Sequence, residues 1–243
     1  MKIIKLDATH STNLYLKDLM SKTSLEDFTI VVTEAQTLGR GQMGTVWVSE
    51  PFKNLTFSIL KDLTFVRMTN PFELNICVSL AIYNALSKLG IPNLKVKWPN
   101  DILSGRSKIC GILIENILSG SRMLSSVIGI GLNVNQKTFK DLPNVSSLSL
   151  LTGKIYDLDE LLFLIQDELK NTFLEFGEKG AEFMKQNYET LLFRKDKPST
   201  FKDVEGNMFM GFITGVSDIG KLMVALEDGV LKEFNMKEIS LLY

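Results

Sequence analysis

The segment from Phe28 to Trp47 constrains the fold most, because it joins an apolar run to a glycine-rich loop. The residues from Phe28 to Val32 are largely β-branched, which predicts a buried strand. The loop that follows carries three glycines between Gly39 and Gly44, interleaved with Arg40. Glycines let a backbone approach a ligand closely and turn its N–H groups towards it. The segment therefore predicts an anion-binding loop, although a flexible hairpin tip would use similar residues.

A second polar element follows some fifty residues later, in K-W-P-N-D from Lys97 to Asp101. Its Trp-Pro pair forms a rigid apolar elbow, and its Asn-Asp pair offers polar and metal-binding oxygens on a loop. A strand end with an Asx-turn would explain Trp98 and Pro99, but it explains Lys97 and Asp101 less well. Lys108 comes next, in S-K-I-C-G-I-L-I-E, and could neutralise an anion together with Arg40.

Bulk composition excludes several classes of protein. Of the 243 residues, 45% are hydrophobic and 23% are charged, so the chain can bury a sizeable core. There are 27 basic and 28 acidic residues, with no long run of one sign, which argues against nucleic-acid binding through a broad basic face. The two cysteines do not make a disulfide framework, and no segment suits a signal peptide or a membrane span. We expect a soluble, cytoplasmic protein with no membrane contact.

Hydrophobic periodicity divides the chain into two parts. Up to residue 193 it predicts strands and helices in a mixed α/β domain. After Arg194 to Pro198 the sequence consists of short apolar runs separated by glycines, which predicts a small all-β unit over residues 194–243. The expected strands are 2–6, 28–32, 55–60, 109–117 and 123–133, the last two joined by a hairpin at 119–121. The expected helices begin at Ser11 to Asn13, at Pro71 and at Asp157, with a further helix over 181–193.

Five motifs, in order, resemble those of the biotin protein ligases. They are S-T-N at Ser11 to Asn13, the loop at Gly39 to Gly44, Lys97 to Asp101, Lys108 to Glu115, and G-I-G-L-N at Gly129 to Asn133. One such motif is a weak signal, whereas five in sequence are very specific. The resemblance covers nearly the whole chain. It implies a class II aminoacyl-tRNA-synthetase-like catalytic domain with a central mixed sheet over 1–193 and an SH3-like β-barrel over 194–243.

The same resemblance implies roles for individual residues. Biotin would be bound by Ser11, Thr12, Asn13, Gln36, Gly39, Arg40, Gly41, Gln42, Lys108 and Gly111. ATP would be bound by Arg40, Trp47, Lys97, Asn100, Asp101, Lys108 and Asn133. The expected catalytic residues are Lys108, Arg40 and Asp101, and Asp101 is also the expected Mg²⁺ ligand. Ser11 and Thr12 could equally be helix caps, or serve both purposes.

The implied reaction has two steps. Biotin and ATP would give biotinyl-5′-AMP and pyrophosphate, and a lysine of a biotin carboxyl carrier protein domain would then attack the anhydride. Some relatives carry a DNA-binding domain before the catalytic one, but here S-T-N begins at residue 11, so a monofunctional ligase is expected. Homodimerisation, which occurs within the family, stays open.

Two other functions also stay open. One is lipoate or octanoate attachment by the same fold, although the R-R-x-x-G-G-G-x-V-x-H-D loop typical of lipoate ligases is absent. Octanoyl transfer would need a covalent cysteine. Strand alternation would place Cys110 on the face of Lys108, but a small buried residue is the better interpretation. The second function is a non-catalytic biotin-binding regulator.

One departure from the family generates a prediction. Many relatives have a second arginine after G-R-G, where this chain has Gln42 and Met43. Because an added cation would hold the anionic intermediate more firmly, Gln42→Arg should slow the release of biotinyl-5′-AMP. Release rates from the parent and the variant would be compared directly, and equal rates would reject the idea.

Overall fold

A seven-stranded mixed sheet forms the centre of the protein. The computed structural model describes residues 2–120, 122–140 and 142–243, so Ser121 of the predicted hairpin lies outside the described residues. The strands of the central sheet are β1 (Ile3–Thr9), β2 (Ile30–Gln36), β3 (Leu55–Asp62), β4 (Leu94–Lys97), β5 (Asp101–Ser104), β6 (Ser107–Ser119) and β7 (Arg122–Leu132). Their order is β1-β2-β3-β7-β6-β5-β4. Only β1 and β2 run parallel among these neighbours, so the expected central mixed sheet is confirmed.

Four α-helices accompany this sheet in the described part of the chain: α1 (Thr12–Lys22), α2 (Pro71–Lys88), α3 (Leu148–Thr152) and α4 (Leu158–Leu191). Helix α2 begins where Asn70 accepts hydrogen bonds from the amides of Phe72 and Glu73. Helix α4 contains a break at Gly180, whose φ of 80° is not helical, so the two helices predicted there lie end to end. No helix in the described segments is both long and apolar enough to cross a membrane.

The two faces of the central sheet are covered unequally. Helices α2 and α4 pack against one face, where Phe57, Leu74 and Ile128 belong to one large buried core. Helix α1 covers part of the other face, where Leu16 packs with Val127 in a smaller cluster. Since successive residues of a strand alternate between faces, positions beyond α1 on this second face remain open to a ligand.

The last part of the chain forms a second sheet. Its strands are β8 (Pro198–Asp203), β9 (Met208–Val216), β10 (Leu222–Leu226), β11 (Leu231–Phe234) and β12 (Ile239–Leu242). All pairings are antiparallel, in the order β11-β10-β9-β8-β12. Phe201, Ile213 and Val224 from this sheet are buried in the same large core as α2 and α4. The predicted all-β character is therefore confirmed, and hydrophobic packing continues from one sheet to the other.

A tight contact at Gly220 joins the second sheet to the first part of the chain. The carbonyl oxygen of Gly220 accepts a hydrogen bond of 2.9 Å from the indole nitrogen of Trp98. Gly220 has a φ of +84°, and a Cβ atom there would lie 2.1 Å from Cγ of Phe72. Both the backbone conformation and the close approach therefore require glycine at this position.

We predict that Gly220→Ala lowers the free energy of unfolding more than Gly229→Ala does. Gly229 shares the positive φ, at +81°, but among the described residues a Cβ there would meet nothing within 4 Å. The control should lose only the conformational penalty of about 1–2 kcal/mol. Gly220→Ala should lose roughly 1–3 kcal/mol more through overpacking against Phe72. Urea denaturation of both variants measures the difference, and equal losses would contradict the packing argument.

Candidate functional site

A cavity of about 470 Å³ opens over the part of the central sheet that α1 leaves uncovered. Its floor is formed by three residues that lie side by side on neighbouring strands. Gly131 of β7 pairs with Thr56 of β3 on one side and with Gly111 of β6 on the other. The neighbouring row on the same face contains Gly129. The floor is thus largely bare backbone, which leaves room for groups to lie flat against the sheet.

The indole of Trp47 occupies part of this room. A Cβ atom on Gly131 would lie 2.4 Å from Cε2 of Trp47, and one on Gly111 would lie 3.2 Å from its Cζ3. The Nζ atom of Lys108 lies 5.7 Å from the centroid of the same indole. Trp47 therefore presents a flat apolar wall beside a cation, and this placement depends on glycine at position 131.

The N-terminus of α1 forms the hydrogen-bonding end of the cavity. Ser11 occupies the N-cap position, but within the described residues its side chain makes no capping hydrogen bond. Instead, Oε1 of Gln36 accepts a bond of 2.9 Å from the amide of Thr12. The hydroxyl of Ser11 is therefore not used to cap the helix. Ser11, Thr12 and Gln36 all line the cavity.

Asn13 ties this end to a buried polar network. Its Oδ1 accepts from the hydroxyl of Ser58 at 2.5 Å, and its Nδ2 donates to Oε2 of Glu115 at 2.8 Å. The other oxygen of Glu115 lies 2.6 Å from Nζ of Lys17 and 3.8 Å from a guanidinium nitrogen of Arg40. Burial raises the pKa of Glu115, but the hydrogen bonds from Lys17 and Asn13 and the positive charges of Lys17 and Arg40 outweigh it and leave that pKa below its usual value. Glu115 is therefore ionised at neutral pH and orients Arg40.

The cationic end of the cavity contains an ion pair. Nζ of Lys108 lies 2.7 Å from Oδ1 of Asp101, in an orientation that does not satisfy hydrogen-bond geometry. Both side chains are largely shielded from solvent, with exposed fractions of 32% and 18%. A cation held this way stays available to a second anion, because each proton of an ammonium group can find a different partner.

Residues of the K-W-P-N-D element are fixed from several directions. The carbonyl oxygen of Pro99 accepts hydrogen bonds from Nδ2 of Asn75 and, at 3.4 Å, from the hydroxyl of Tyr188. Nδ2 of Asn100 donates to the carbonyl oxygen of Ile112 at 2.6 Å. The element is thus anchored to α2, α4 and β6, and this anchoring places Asp101 opposite Lys108.

The cavity wall brings together most of the residues proposed from the sequence. They are Ser11, Thr12, Asn13, Gln36, Arg40, Gly41, Gln42, Trp47, Lys97, Asn100, Asp101, Lys108 and Gly111. Gly39 lies behind the wall, where a Cβ atom would meet the carbonyl oxygen of Trp47 at 2.1 Å. Asn133 is also outside the wall, since it is buried and its Nδ2 donates to the carbonyl oxygen of Ser146 at 3.1 Å.

Sequence reasoning overlooked other wall residues. They are Thr45, Val46, Thr56, Phe57, Ile112, Leu113, Gly129, Ile130, Gly131 and Lys237. The G-I-G-L-N motif already contained Gly129 and Gly131, and strand alternation could have added Thr56. No local pattern indicates Lys237, because it comes from the second sheet.

The expectation that Cys110 shares a face with Lys108 is wrong. Leu103 pairs with Lys108 and Ile102 pairs with Cys110, so the register shifts by one residue between them. This irregularity breaks the alternation. Cys110 is fully buried in the large core, and burial raises the pKa of its thiol well above its usual value. The thiol is therefore kept out of the cavity, in agreement with the interpretation that Cys110 is a small buried residue.

The donor set for a metal ion is sparse. Among the described residues, no group of three or more His, Cys, Asp or Glu side chains is arranged to hold one. Asp101 lines the cavity with its carboxylate, which already lies beside Lys108. The site therefore fits Mg²⁺ only as an ion shared with ligand phosphates, the mode in which Mg²⁺ uses one or two carboxylates.

The protein has a mixed sheet with helices on both faces. It also has a polar and cationic cavity over a floor of glycines. This combination is typical of an α/β protein that binds an anionic small molecule. Residues 6–133 match the Biotin/lipoate A/B protein ligase family. The chain belongs to this family, which confirms the resemblance inferred from the five motifs.

Individual relatives agree with this assignment. The Bifunctional ligase/repressor BirA of Bacillus spizizenii is 27% identical over 96% of this chain and 72% of its own length. The protein of the same name from Escherichia coli is 28% identical over 97% of this chain and 73% of its own length. A solved structure, a biotin protein ligase from Aquifex aeolicus in complex with biotin and ATP, superposes with a TM-score of 0.82 at 27% identity, covering 99% of this chain and 98% of that one.

We predict that Gly131→Ala displaces the indole of Trp47, because the added methyl group would lie only 2.4 Å from a ring carbon. Tryptophan fluorescence in a Trp98→Phe background reports Trp47 alone, since the chain has two tryptophans. The emission of Trp47 should shift to longer wavelength as the ring becomes hydrated. Gly111→Ala is the matched control and should give a smaller shift, and identical spectra for parent and Gly131→Ala would refute this packing.

Proposed function

We propose that this chain is an ATP-dependent biotin protein ligase, which forms biotinyl-5′-AMP with release of pyrophosphate and then transfers biotin to a lysine of a biotin carboxyl carrier protein domain. One observation carries the proposal. A single cavity has a hydrogen-bonding end at Ser11, Thr12 and Gln36, and a cationic end at Lys108. Membership of the family and the likeness to the Aquifex aeolicus enzyme bound to biotin and ATP support the same conclusion.

The hydrogen-bonding end suits the ureido head of biotin, which has both donors and an acceptor. Ser11 and Thr12 supply hydroxyl groups, and Gln36 supplies an amide. A buried ureido group left unpaired would weaken binding by about 1–3 kcal/mol per atom. The Ser11 hydroxyl suits this task because capping does not use it. The apolar thiophane ring of biotin would then lie beside Trp47.

The cationic end suits the first chemical step. Attack of the biotin carboxylate on the α-phosphate of ATP brings two anions together, and no proton needs to move. The protein therefore has to position the reactants and neutralise their charge. Lys108 would lie at the carboxylate and the forming anhydride. Arg40, held on the cavity wall by Glu115, would close over the ligand with the backbone of Gly41 and Gln42.

For the nucleotide, we propose that Trp47, Lys97 and Asn100 form the walls and that Asp101 holds Mg²⁺ together with the phosphates. When bound, the ion would supply further neutralisation of phosphate charge. Asn133 would contribute from behind the wall. Its side chain donates to the carbonyl oxygen of Ser146, and the amide of Ser146 donates in turn to the carbonyl oxygen of Lys108 at 3.0 Å. This supports a role in positioning Lys108 beside the nucleotide.

The second step requires the acceptor amine to lose a proton. We propose that Asp101 assists, because its carboxylate lines the cavity next to Lys108. If so, Asp101→Asn should slow transfer from preformed biotinyl-5′-AMP. Normal transfer by this variant would remove Asp101 from the step while leaving its role towards Mg²⁺ and ATP open.

We further propose that residues 1–193 form a class II aminoacyl-tRNA-synthetase-like catalytic domain and residues 194–243 an SH3-like domain. The antiparallel five-stranded sheet that begins at Pro198 supports the second assignment. The pairings within residues 142–243 give an open order with β11 and β12 at its ends, so closure of the barrel is part of the proposal.

The decisive assay is ATP–pyrophosphate exchange. We predict exchange that depends on biotin and is not supported by lipoate or octanoate. Lys108→Ala should lower kcat/KM for exchange by about 10²–10³-fold, the usual effect of removing one group that stabilises developing charge. Lys202→Ala, which removes an exposed lysine of the second sheet, is the matched control and should retain full activity. Exchange with lipoate in place of biotin would favour the lipoate ligase alternative.

A further inference from the structure

Lys237 lies in a turn that joins two strands of the second sheet, but it contributes to the wall of the cavity over the first sheet. It lies between β11 and β12, yet it lines the main cavity with Arg40 and Gln42. It also lines an adjoining cavity of about 260 Å³, again with Gln42 and with Lys97. Lys237 therefore shares the walls of both cavities with Gln42 of the glycine-rich loop.

The local backbone does not explain a lysine at this position. Lys237 has a φ of 68°, in the left-handed region that favours glycine. The surrounding turn is held by its neighbours, since the amide of Asn235 donates to Oε2 of Glu238 at 2.7 Å and Nδ2 of Asn235 donates to Oε1 at 2.8 Å. A strained residue whose side chain reaches a ligand cavity is a reason to look for a function.

The charge distribution of the cavity indicates what that function is. Arg40 and Lys108 already place positive charge on the wall of this cavity. Gln42, which lines the same cavity, is uncharged. Lys237 adds a further positive charge to the walls of both cavities that Gln42 lines.

We propose that Lys237 is an anion-binding residue that helps retain the acyl-adenylate between the two half-reactions. This inference rests on the proposed function. The side chain is exposed, so its attraction for the adenylate phosphate is screened by salt. Its contribution is that of one exposed charge pair, which corresponds to a change in release rate of roughly two- to fivefold. The second sheet would then take part in holding the intermediate.

The test measures release of preformed biotinyl-5′-AMP from the full-length chain and its variants at low and high ionic strength. Lys237→Ala should release the intermediate roughly two- to fivefold faster at low salt, and the difference should shrink at high salt. Lys237→Arg should behave like the parent. Lys232→Ala, which removes an exposed lysine from β11, is the matched control and should leave release unchanged.

Lys237→Gly separates function from folding. It relieves the strained backbone while removing the cation, so it should unfold at no lower temperature than the parent but release the intermediate as fast as Lys237→Ala. The double variant Gln42→Arg with Lys237→Ala should recover slow release, because it restores one positive charge to the cavity wall.

The outcomes can be told apart. Unchanged release from both Lys237→Ala and Lys237→Gly, in a parent that carries out biotin-dependent exchange, would overturn the role of Lys237 alone. An equal acceleration in Lys232→Ala would also overturn it, because the effect would then reflect overall charge. A parent without biotin-dependent exchange would reject the proposed function itself.

Discussion

The whole site depends on three glycines on one face of the central sheet. Gly111 and Gly131 are paired across β6 and β7, and Gly129 lies two residues before Gly131 on the same face. The indole of Trp47 and the amide of Asn13 lie so close to this backbone that a methyl group at Gly131 or Gly129 would collide with them at 2.4 Å. A hydrophobic sheet face elsewhere in the protein is filled by side chains, whereas here it is kept clear for the loop and a ligand.

Electrostatics then divides the open face into two ends. At one end, hydroxyl and amide groups around Ser11 and Gln36 offer hydrogen bonds without net charge. At the other end, Lys108 stands beside Asp101. This division allows one molecule with a polar neutral head and an anionic tail to be held in a defined direction. Direction is important in an adenylation reaction, because the carboxylate must meet the α-phosphate in line.

The second sheet is coupled to this site through direct contacts. Trp98, in the element that positions Asp101, donates to the carbonyl oxygen of Gly220, which lies between β9 and β10 of the second sheet. Nζ of Lys97, in the same element, lies 4.7 Å from the ring centroid of Tyr243, which directly follows β12. With a shared hydrophobic core, these contacts make the second sheet a support for the cationic end of the cavity.

The sequence by itself determined many of the elements and the family. Apolar periodicity located β3, α2, β6, β7 and the helices around Gly180, and glycine spacing located the all-β part, because these signals are local. Ordered motifs were enough to indicate the family. Strand alternation predicted the wrong face for Cys110. The register between β5 and β6 shifts at Ile109, and this shift depends on how the two strands pair. Only the tertiary structure placed Lys237 on the wall of the cavity. It also showed that Gln36, and not Ser11, accepts the hydrogen bond from the amide of Thr12. The hydrogen bond from Asn133 to Ser146 likewise became visible only there. Such contacts join residues far apart in the chain, and no local pattern encodes them.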